Sequence, residues 1–338
     1  MTLTLLFLLI GIADAQDSAL PFVGSDTVVV HRDGERVEQM SGRIEDISGE
    51  TLTLRRNGRA DIRLLRMSDV TSLVFSRSSV FEQGLQLLEK RDEVAALRYF
   101  DAAIESEPRE WAGNELQAVA VKACIRAGDR DAAVDRIEKI LEIDSASRHV
   151  SLLPLVWDAR LPVRERVTAR ADDLTATSAV RQLVAASAFL GDPAHHQSAV
   201  LILQKLRTLP YRRLAELAET QMWRLPVLTD DEQHVALIRL WESRLPQLPL
   251  EARGGPQFAF ARCLQKQHDY DKASIAFLWQ PFMIPTDEAL AAAAMAESIR
   301  CLQASGRNQS ATVLSQELQQ RFPKMSAAQA LATESFRP

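Results

Sequence analysis

Cysteine is scarce in this sequence, and its scarcity limits how the fold can be stabilised. Only three cysteines occur among 338 residues, and an odd number cannot pair completely. Exported domains that rely on disulfides are rich in cysteine, so a disulfide framework is excluded. We therefore expect a core held by packing, with Cys124, Cys263 and Cys301 as buried free thiols.

The chain also lacks an excess of positive charge. It carries 40 Lys and Arg against 45 Asp and Glu, which gives a formal net charge of −5. Nucleic-acid binding depends on a basic field that neutralises phosphates. The one local basic run, Arg55 to Arg66, lies in a region where acidic residues balance it. We therefore expect no nucleic-acid partner.

Motifs of catalysis are missing too. The chain contains no HExxH zinc motif, no GxSxG nucleophile elbow and no Gly-rich phosphate loop. His195 and His196 are adjacent, a spacing that does not turn two ligands toward one metal as i, i+4 spacing does. The sequence predicts no catalytic residue, no metal ligand and no cofactor. A hydrolase built from the irregular middle of the chain is the alternative.

Long apolar runs are absent after the first residues. The opening run, Leu3 to Ile12, is too short to span a bilayer and ends in Ala-Asp-Ala at residues 13–15, a pattern typical of signal-peptidase cleavage. No cysteine stands near this run, so lipid attachment is not indicated. Residues 1–15 are thus predicted to be a signal peptide, and the protein to be periplasmic or extracellular without a transmembrane segment.

Residues 24–76 have the pattern of a small β module. β-branched runs such as Thr27 to Val30 and Thr71 to Phe75 alternate with turn dipeptides, among them Asn57-Gly58. This alternation is typical of hairpins and predicts about five short strands. The pattern resembles the SH3-like or Sm-like small barrels that precede repeat regions in some exported bacterial proteins.

The periodicity changes abruptly to helical near Ser78, which predicts that the β module and the rest of the chain are separable. Helical hairpins then recur with small residues where two helices would cross and larger ones between them. The clearest positions are Gly84, Leu87, Ala96, Phe100, Ala103 and Pro108 in one unit, and Val121, Cys124, Gly128, Ala133, Ile137 and Ile140 in the next. These positions resemble the tetratricopeptide (TPR) consensus.

The resemblance implies a mainly α fold, a TPR-like α-α solenoid preceded by the small all-β domain. Residues 78–244 are predicted to form a first subarray that is degenerate after residue 150, and residues 254–324 a second. A Pro- and Gly-rich stretch, Leu245 to Pro256, separates them. Residues 325–338 are predicted to be a flexible tail.

Binding rather than catalysis is the function that the resemblance implies. Stacked hairpins leave a concave surface, and in TPR-like arrays two positions on the first helix of each repeat face it. In this chain those positions hold cations: Lys122, Arg126, Arg262, Lys266 and Arg300. We expect them to bind a protein or peptide of acidic character. A structural role in an envelope or secretion assembly, or polysaccharide binding through exposed tryptophans, is the alternative.

Overall fold

The computed structural model describes residues 26–32, 36–57, 61–228, 235–284 and 287–335. A five-stranded antiparallel sheet is followed by a helical region, which confirms the predicted mainly α fold with a small N-terminal β domain. The predicted signal peptide lies outside the described residues. None of the described helices is long and apolar enough to cross a membrane.

The strands form a sheet of order β4-β3-β2-β1-β5. They are β1 (Asp26–Arg32), β2 (Arg36–Ser48), β3 (Thr51–Arg56), β4 (Ile62–Arg66) and β5 (Val70–Val74). A single 3-10 turn at Met67–Asp69 returns the chain from β4 so that β5 pairs with β1. Successive side chains of a strand point to opposite faces of the sheet. One face points inward, and its Val28, Leu52 and Leu54 are fully buried.

The helical region consists mostly of helices that pack against their neighbours in sequence. They are α1 (Ser79–Glu89), α2 (Glu93–Glu105), α3 (Glu110–Ala127), α4 (Arg130–Ile143), α5 (Ala179–Phe189), α6 (His196–Leu206), α7 (Arg212–Gln221), α8 (Leu225–Leu228), α9 (Val235–Arg244), α10 (Gly254–Lys266), α11 (Tyr270–Met283), α12 (Glu288–Ala304), α13 (Asn308–Arg321) and α14 (Ser326–Ser335). Where the sequence predicts a flexible tail, the structure has α14. Its Ala328 and Leu331 are buried against α12 and α13 neighbours, which explains why it is ordered as a helix.

The core of the sheet is completed by the helical region. Trp111, at the start of α3, packs in the same apolar cluster as the inner face of the sheet. Phe75 meets the Trp111 ring edge-on, with the ring centroids 5.1 Å apart. The N–H of Gly49 also donates to Asp144 Oδ2 over 2.7 Å. Separability of the two parts stays a prediction, and removing the sheet would expose Trp111.

Hairpins α1–α2, α3–α4, α10–α11 and α12–α13 turn through the same backbone geometry. The turn residue has a positive φ in each: 64° at Arg91, 84° at Gly128, 61° at His268 and 77° at Gly306. The residue after it donates its N–H to the carbonyl five residues earlier, as in a Schellman cap. These hairpins are therefore variants of one local pattern.

Glycine is expected to fit this turn better than histidine. A side chain at positive φ costs roughly 1 kcal/mol, and loss of the exposed contact of 2.8 Å between His268 Nδ1 and the Tyr270 hydroxyl offsets part of the gain, so His268→Gly should raise the free energy of unfolding by about 0.5 kcal/mol or less. In the opposite direction, Gly128→Ala should lower it by about 1 kcal/mol, because open space surrounds the added Cβ and only the backbone is strained. Urea unfolding measures both changes, and a Gly128→Ala variant as stable as the wild type would contradict the shared geometry.

Residues 153–161 form neither helix nor strand and pack between two parts of the helical region; we call them the inner segment. The sequence predicts helical hairpins from Leu152 onward, but residues 145–178 contain only short 3-10 turns. Pro154 and Pro162 oppose a helix here because each lacks an N–H donor. Val156 instead bonds to Ser187 of α5, donating its N–H to Oγ at 2.7 Å and accepting from Oγ at 3.2 Å.

The inner segment joins two helical cores. Leu153 and Leu155 pack in the cluster formed largely by α3 to α7, and Leu161 packs in the cluster formed by α9 to α12. Trp157 contacts both clusters. A Cβ added at Gly255 of α10 would lie 1.8 Å from Trp157 Cε2, so the indole packs directly on the helix backbone. The chain itself therefore occupies the space between these two helical cores.

Candidate functional site

Three arginines contact a buried carboxylate, that of Glu297 on α12. Its side chain is only 4% exposed. Oε1 accepts from Arg300 at 2.7 Å and lies 3.0 Å from Arg160 Nη2, and Oε2 accepts from Arg262 at 2.9 Å. Gln265 Nε2 donates to the same Oε2 at 2.8 Å. We call Arg160, Arg262 and Arg300 around Glu297 the arginine cluster.

Local structure explains how these side chains meet. Glu297 and Arg300 are three residues apart on α12, and Arg262 and Gln265 are three apart on α10, so each pair shares one helix face. The two helices present these faces to each other. The inner segment supplies Arg160, whose guanidinium is oriented by Asp158 through contacts of 2.9 Å and 2.6 Å.

Both carboxylates are held in the ionised form. Burial raises the pKa of Glu297, but the charges of Arg160 and Arg262 and the hydrogen bond from Gln265 outweigh it, so this pKa lies below its ordinary value. Burial also opposes ionisation of Asp158, and its bonds to Arg160 likewise bring its pKa below the ordinary value. In the described part of the chain, the three arginines of the cluster thus contact two ionised carboxylates, Glu297 and Asp158.

The arginine cluster forms one wall of an open cleft of about 650 Å³. The other walls are Pro162 of the chain beyond the inner segment, small side chains of α12, and Ala327 and Ala330 of α14. Arg160 is 50% exposed and Arg300 35% exposed along their side chains. Because guanidinium groups offer several N–H donors in a planar fork, this wall can bind a carboxylate without losing Glu297.

Two of the five predicted binding residues meet in this cleft. Arg262 and Arg300 converge on Glu297, as described. Lys266 lies at the end of α10, where its Nζ donates to the carbonyl of Pro226 over 2.7 Å. The structure therefore places Lys266 outside the arginine cluster.

The other two predicted residues lie near the β module and the first hairpin. Arg126 is 3.1 Å from Glu93 and 4.0 Å from Glu288. Lys122 is an exposed residue that lines a separate cavity of about 370 Å³ beside the sheet. Desolvation by the protein around its amino group lowers its pKa, and the opposing charge of Glu115 limits this shift. The five cations do not line one surface.

Sequence reasoning missed Glu297, Asp158 and Arg160. Glu297 nevertheless carries a signal, because it is the one charged residue between Glu288 and Arg300 in an alanine-rich helix. A lone carboxylate on such an apolar helix must find cationic partners when the helix is buried. Arg160 carries no comparable signal, because the inner segment has no periodicity that would predict its position.

The structure also locates the side chains that the alternative functions would use. Trp111, Trp223 and Trp241 are buried and Trp157 and Trp279 are partly buried, so no tryptophan forms an exposed platform. Within the described ranges, no group of His, Cys, Asp or Glu side chains is placed to hold a metal ion. The cysteines are buried free thiols, as predicted. Burial raises the pKa of Cys263 to about 12, which makes its thiol inert at neutral pH.

Comparison with known proteins identifies no relative. No family model, curated protein or solved structure matches the chain. The cleft itself is therefore the guide to function, and the three arginines that line it are its most distinctive chemical property.

Proposed function

We propose that this chain is an exported, non-enzymatic scaffold that binds an acidic segment of a partner protein in the cleft beside the arginine cluster. The observation that carries the proposal is that three arginines, two of them at least one-third exposed, line this open cleft in a chain of net charge −5. Arginine binds carboxylates through paired N–H donors, and exposed charge of this kind speeds association. An acidic segment is therefore the ligand that the cleft favours.

The repeated hairpins support a TPR-like architecture for this scaffold. The shared turn geometry places glycine at Gly128 and Gly306, and a Cβ added at Gly84 would lie 2.6 Å from Phe100 Cε1, where two helices cross closely. The strand order, with its 3-10 turn before β5, supports an SH3-like module. The periplasmic or extracellular location rests on the pattern of residues 1–15.

Docking into an envelope or secretion assembly is one setting in which such a scaffold would act, and it would use the same cleft. Polysaccharide binding depends on exposed tryptophans, and the burial of these side chains removes its main support. We therefore propose a protein ligand rather than a glycan.

The proposal is tested with a short fluorescein-labelled peptide of alternating glutamate and serine, followed by fluorescence anisotropy. We expect this peptide to bind the wild-type protein, to bind less well as salt rises, and to exceed the matching lysine–serine peptide in affinity. Arg160→Gln should slow its association about fivefold, because the cluster loses its most exposed cation.

Arg63→Gln is the matched control, because Arg63 lies on β4 outside the cleft and its side chain is 45% exposed, close to the 50% of Arg160. This control should bind the peptide as the wild type does. Equal slowing in both variants would show a general charge effect and would refute binding in the cleft. Urea unfolding confirms that each variant is folded before binding is measured.

A further inference from the structure

A second, smaller cavity adjoins the cleft. It has a volume of about 220 Å³ and lies between the inner segment, α8 with the turn before it, and α10. Trp157, Leu228 and Phe258 give it apolar walls. Arg160 and Arg262 line both this cavity and the cleft. What distinguishes the cavity is a third arginine, Arg224, which does not reach the cleft.

Arg224 is a buried cation that has no ion-pair partner among the described residues. The residue is 4% exposed. Its Nη1 donates to the carbonyl of Ser187 at 2.7 Å and to Gln221 Oε1 at 2.6 Å, both neutral acceptors. Its Nη2 is buried without an acceptor. In the part of the chain that the structure describes, no carboxylate forms a salt bridge with it. Leaving a buried charge in this state is costly.

The carboxylate that acts on Arg224 already forms hydrogen bonds with another arginine. Asp158 is the acidic group that acts on Arg224, but both of its carboxylate oxygens are bonded to Arg160. Arg166 faces Arg224 with the same sign of charge. Burial lowers the pKa of Arg224 to about 10, so the guanidinium remains protonated at neutral pH. The cavity thus holds three arginines and one carboxylate beside apolar walls.

We propose that this cavity binds a small carboxylic acid with an apolar body, whose carboxylate is held by Arg224 and whose body packs against Trp157 and Phe258. The cavity holds about seven water volumes, which suits a ligand of about six to eight heavy atoms. An anion of this size would supply the acceptor that Arg224 lacks. The same chemistry could be supplied by a free acid or by an acidic side chain of a bound partner, and we assign the free acid.

The test uses hexanoate and its neutral isostere hexanamide with the full-length protein, measured by isothermal titration calorimetry. Hexanoate should bind the wild type at least about tenfold more tightly than hexanamide, because only the carboxylate pairs with Arg224. Arg224→Met should reduce hexanoate affinity by about tenfold or more and leave hexanamide unaffected. Equal affinity for the two compounds, or unchanged hexanoate affinity in Arg224→Met, would overturn the assignment.

A second variant keeps the test decisive if Arg224→Met is poorly folded. Leu228 lines the cavity and is 36% exposed, so Leu228→Trp should obstruct it while leaving Arg224 and its partners intact. This variant should also lose about tenfold in hexanoate affinity, and unchanged affinity would count against the cavity.

The acidic peptide described above separates the two sources of the carboxylate. If the ligand is a free acid, Arg224→Met and Leu228→Trp should bind that peptide as the wild type does. Loss of both hexanoate and peptide binding in these variants would assign the cavity to a side chain of the partner and would overturn the free-acid assignment. Loss of hexanoate binding alone leaves the proposed partner site in the cleft unaffected.

Discussion

Gly255→Ala is expected to lower the free energy of unfolding by about 3 kcal/mol, at the upper end of what overpacking costs in a core. The added Cβ would lie 1.8 Å from Trp157 Cε2 and 2.1 Å from Nε1, distances that require the indole to move. Trp157 is held between two helical cores, so it cannot rotate away without opening one of them. Urea unfolding followed by circular dichroism measures the change.

Two controls identify the cause of this effect. Gly113→Ala also replaces a helical glycine, but nothing lies within 4 Å of the added Cβ, so it should stabilise α3 by about 0.5–1 kcal/mol. In a Trp157→Ala background, Gly255→Ala should cost less than about 1 kcal/mol, because the clash is gone. If the cost stays near 3 kcal/mol without the indole, the inner segment does not pack on α10 as described.

Glu297→Gln should lower the free energy of unfolding by about 2–3 kcal/mol. Removing one partner of a buried ionic network leaves the opposite charges uncompensated, which typically costs about 3–5 kcal/mol. Arg160, Arg262 and Arg300 are partly exposed, so water screens them and the expected cost is smaller. The amide of glutamine would also turn donors toward these arginines.

The matched control is Glu317→Gln on α13, where the carboxylate is 43% exposed and 3.6 Å from Arg321. An exposed pair of this kind contributes about 0.5 kcal/mol or less. Equal, small effects of the two substitutions in urea unfolding would mean that Glu297 does not organise the arginine cluster.

The same carboxylate gives a pH dependence with a definite sign. The pKa of Glu297 is lower in the folded protein than its ordinary value of 4.5, so the unfolded chain binds its proton more tightly. Stability from this group is full above about pH 4.5 and is lost as the pH falls through the folded pKa. Glu297→Gln should therefore lose less stability than the wild type on acidification below pH 4.5, which urea midpoints across that range would detect.

Local sequence patterns were sufficient to predict the main architecture. Turn dipeptides and alternation predicted the sheet, and helical spacing predicted hairpins such as α1–α2 and α10–α11, because both signals depend on neighbours in sequence. The turn at His268 likewise has the backbone conformation that glycine favours. Interactions between residues close together in the sequence determine these features.

The binding surface depended on contacts that no local pattern encodes. The inner segment is irregular and its sequence has no helical or strand period, so neither its path nor the contact of Arg160 with Glu297 could be predicted. Assigning Lys122, Arg126 and Lys266 to one groove assumed a regular array with an empty interior. Trp157 instead packs between two helical cores, and the cations lie in different surroundings. The roles of the buried charges of Glu297 and Arg224 depend on contacts with residues distant in sequence.

Photo-crosslinking is the most direct test of binding in the cleft. The glutamate–serine peptide, carrying a benzophenone side chain, is irradiated with the wild-type protein, and the attachment site is mapped by mass spectrometry. We predict attachment to residues that line the cleft, such as Pro162, Ala327 or Ala330, with loss of the product in Arg160→Gln. Attachment instead to the arginine-bearing strands of the sheet, at Arg55 or Arg63, would contradict the account.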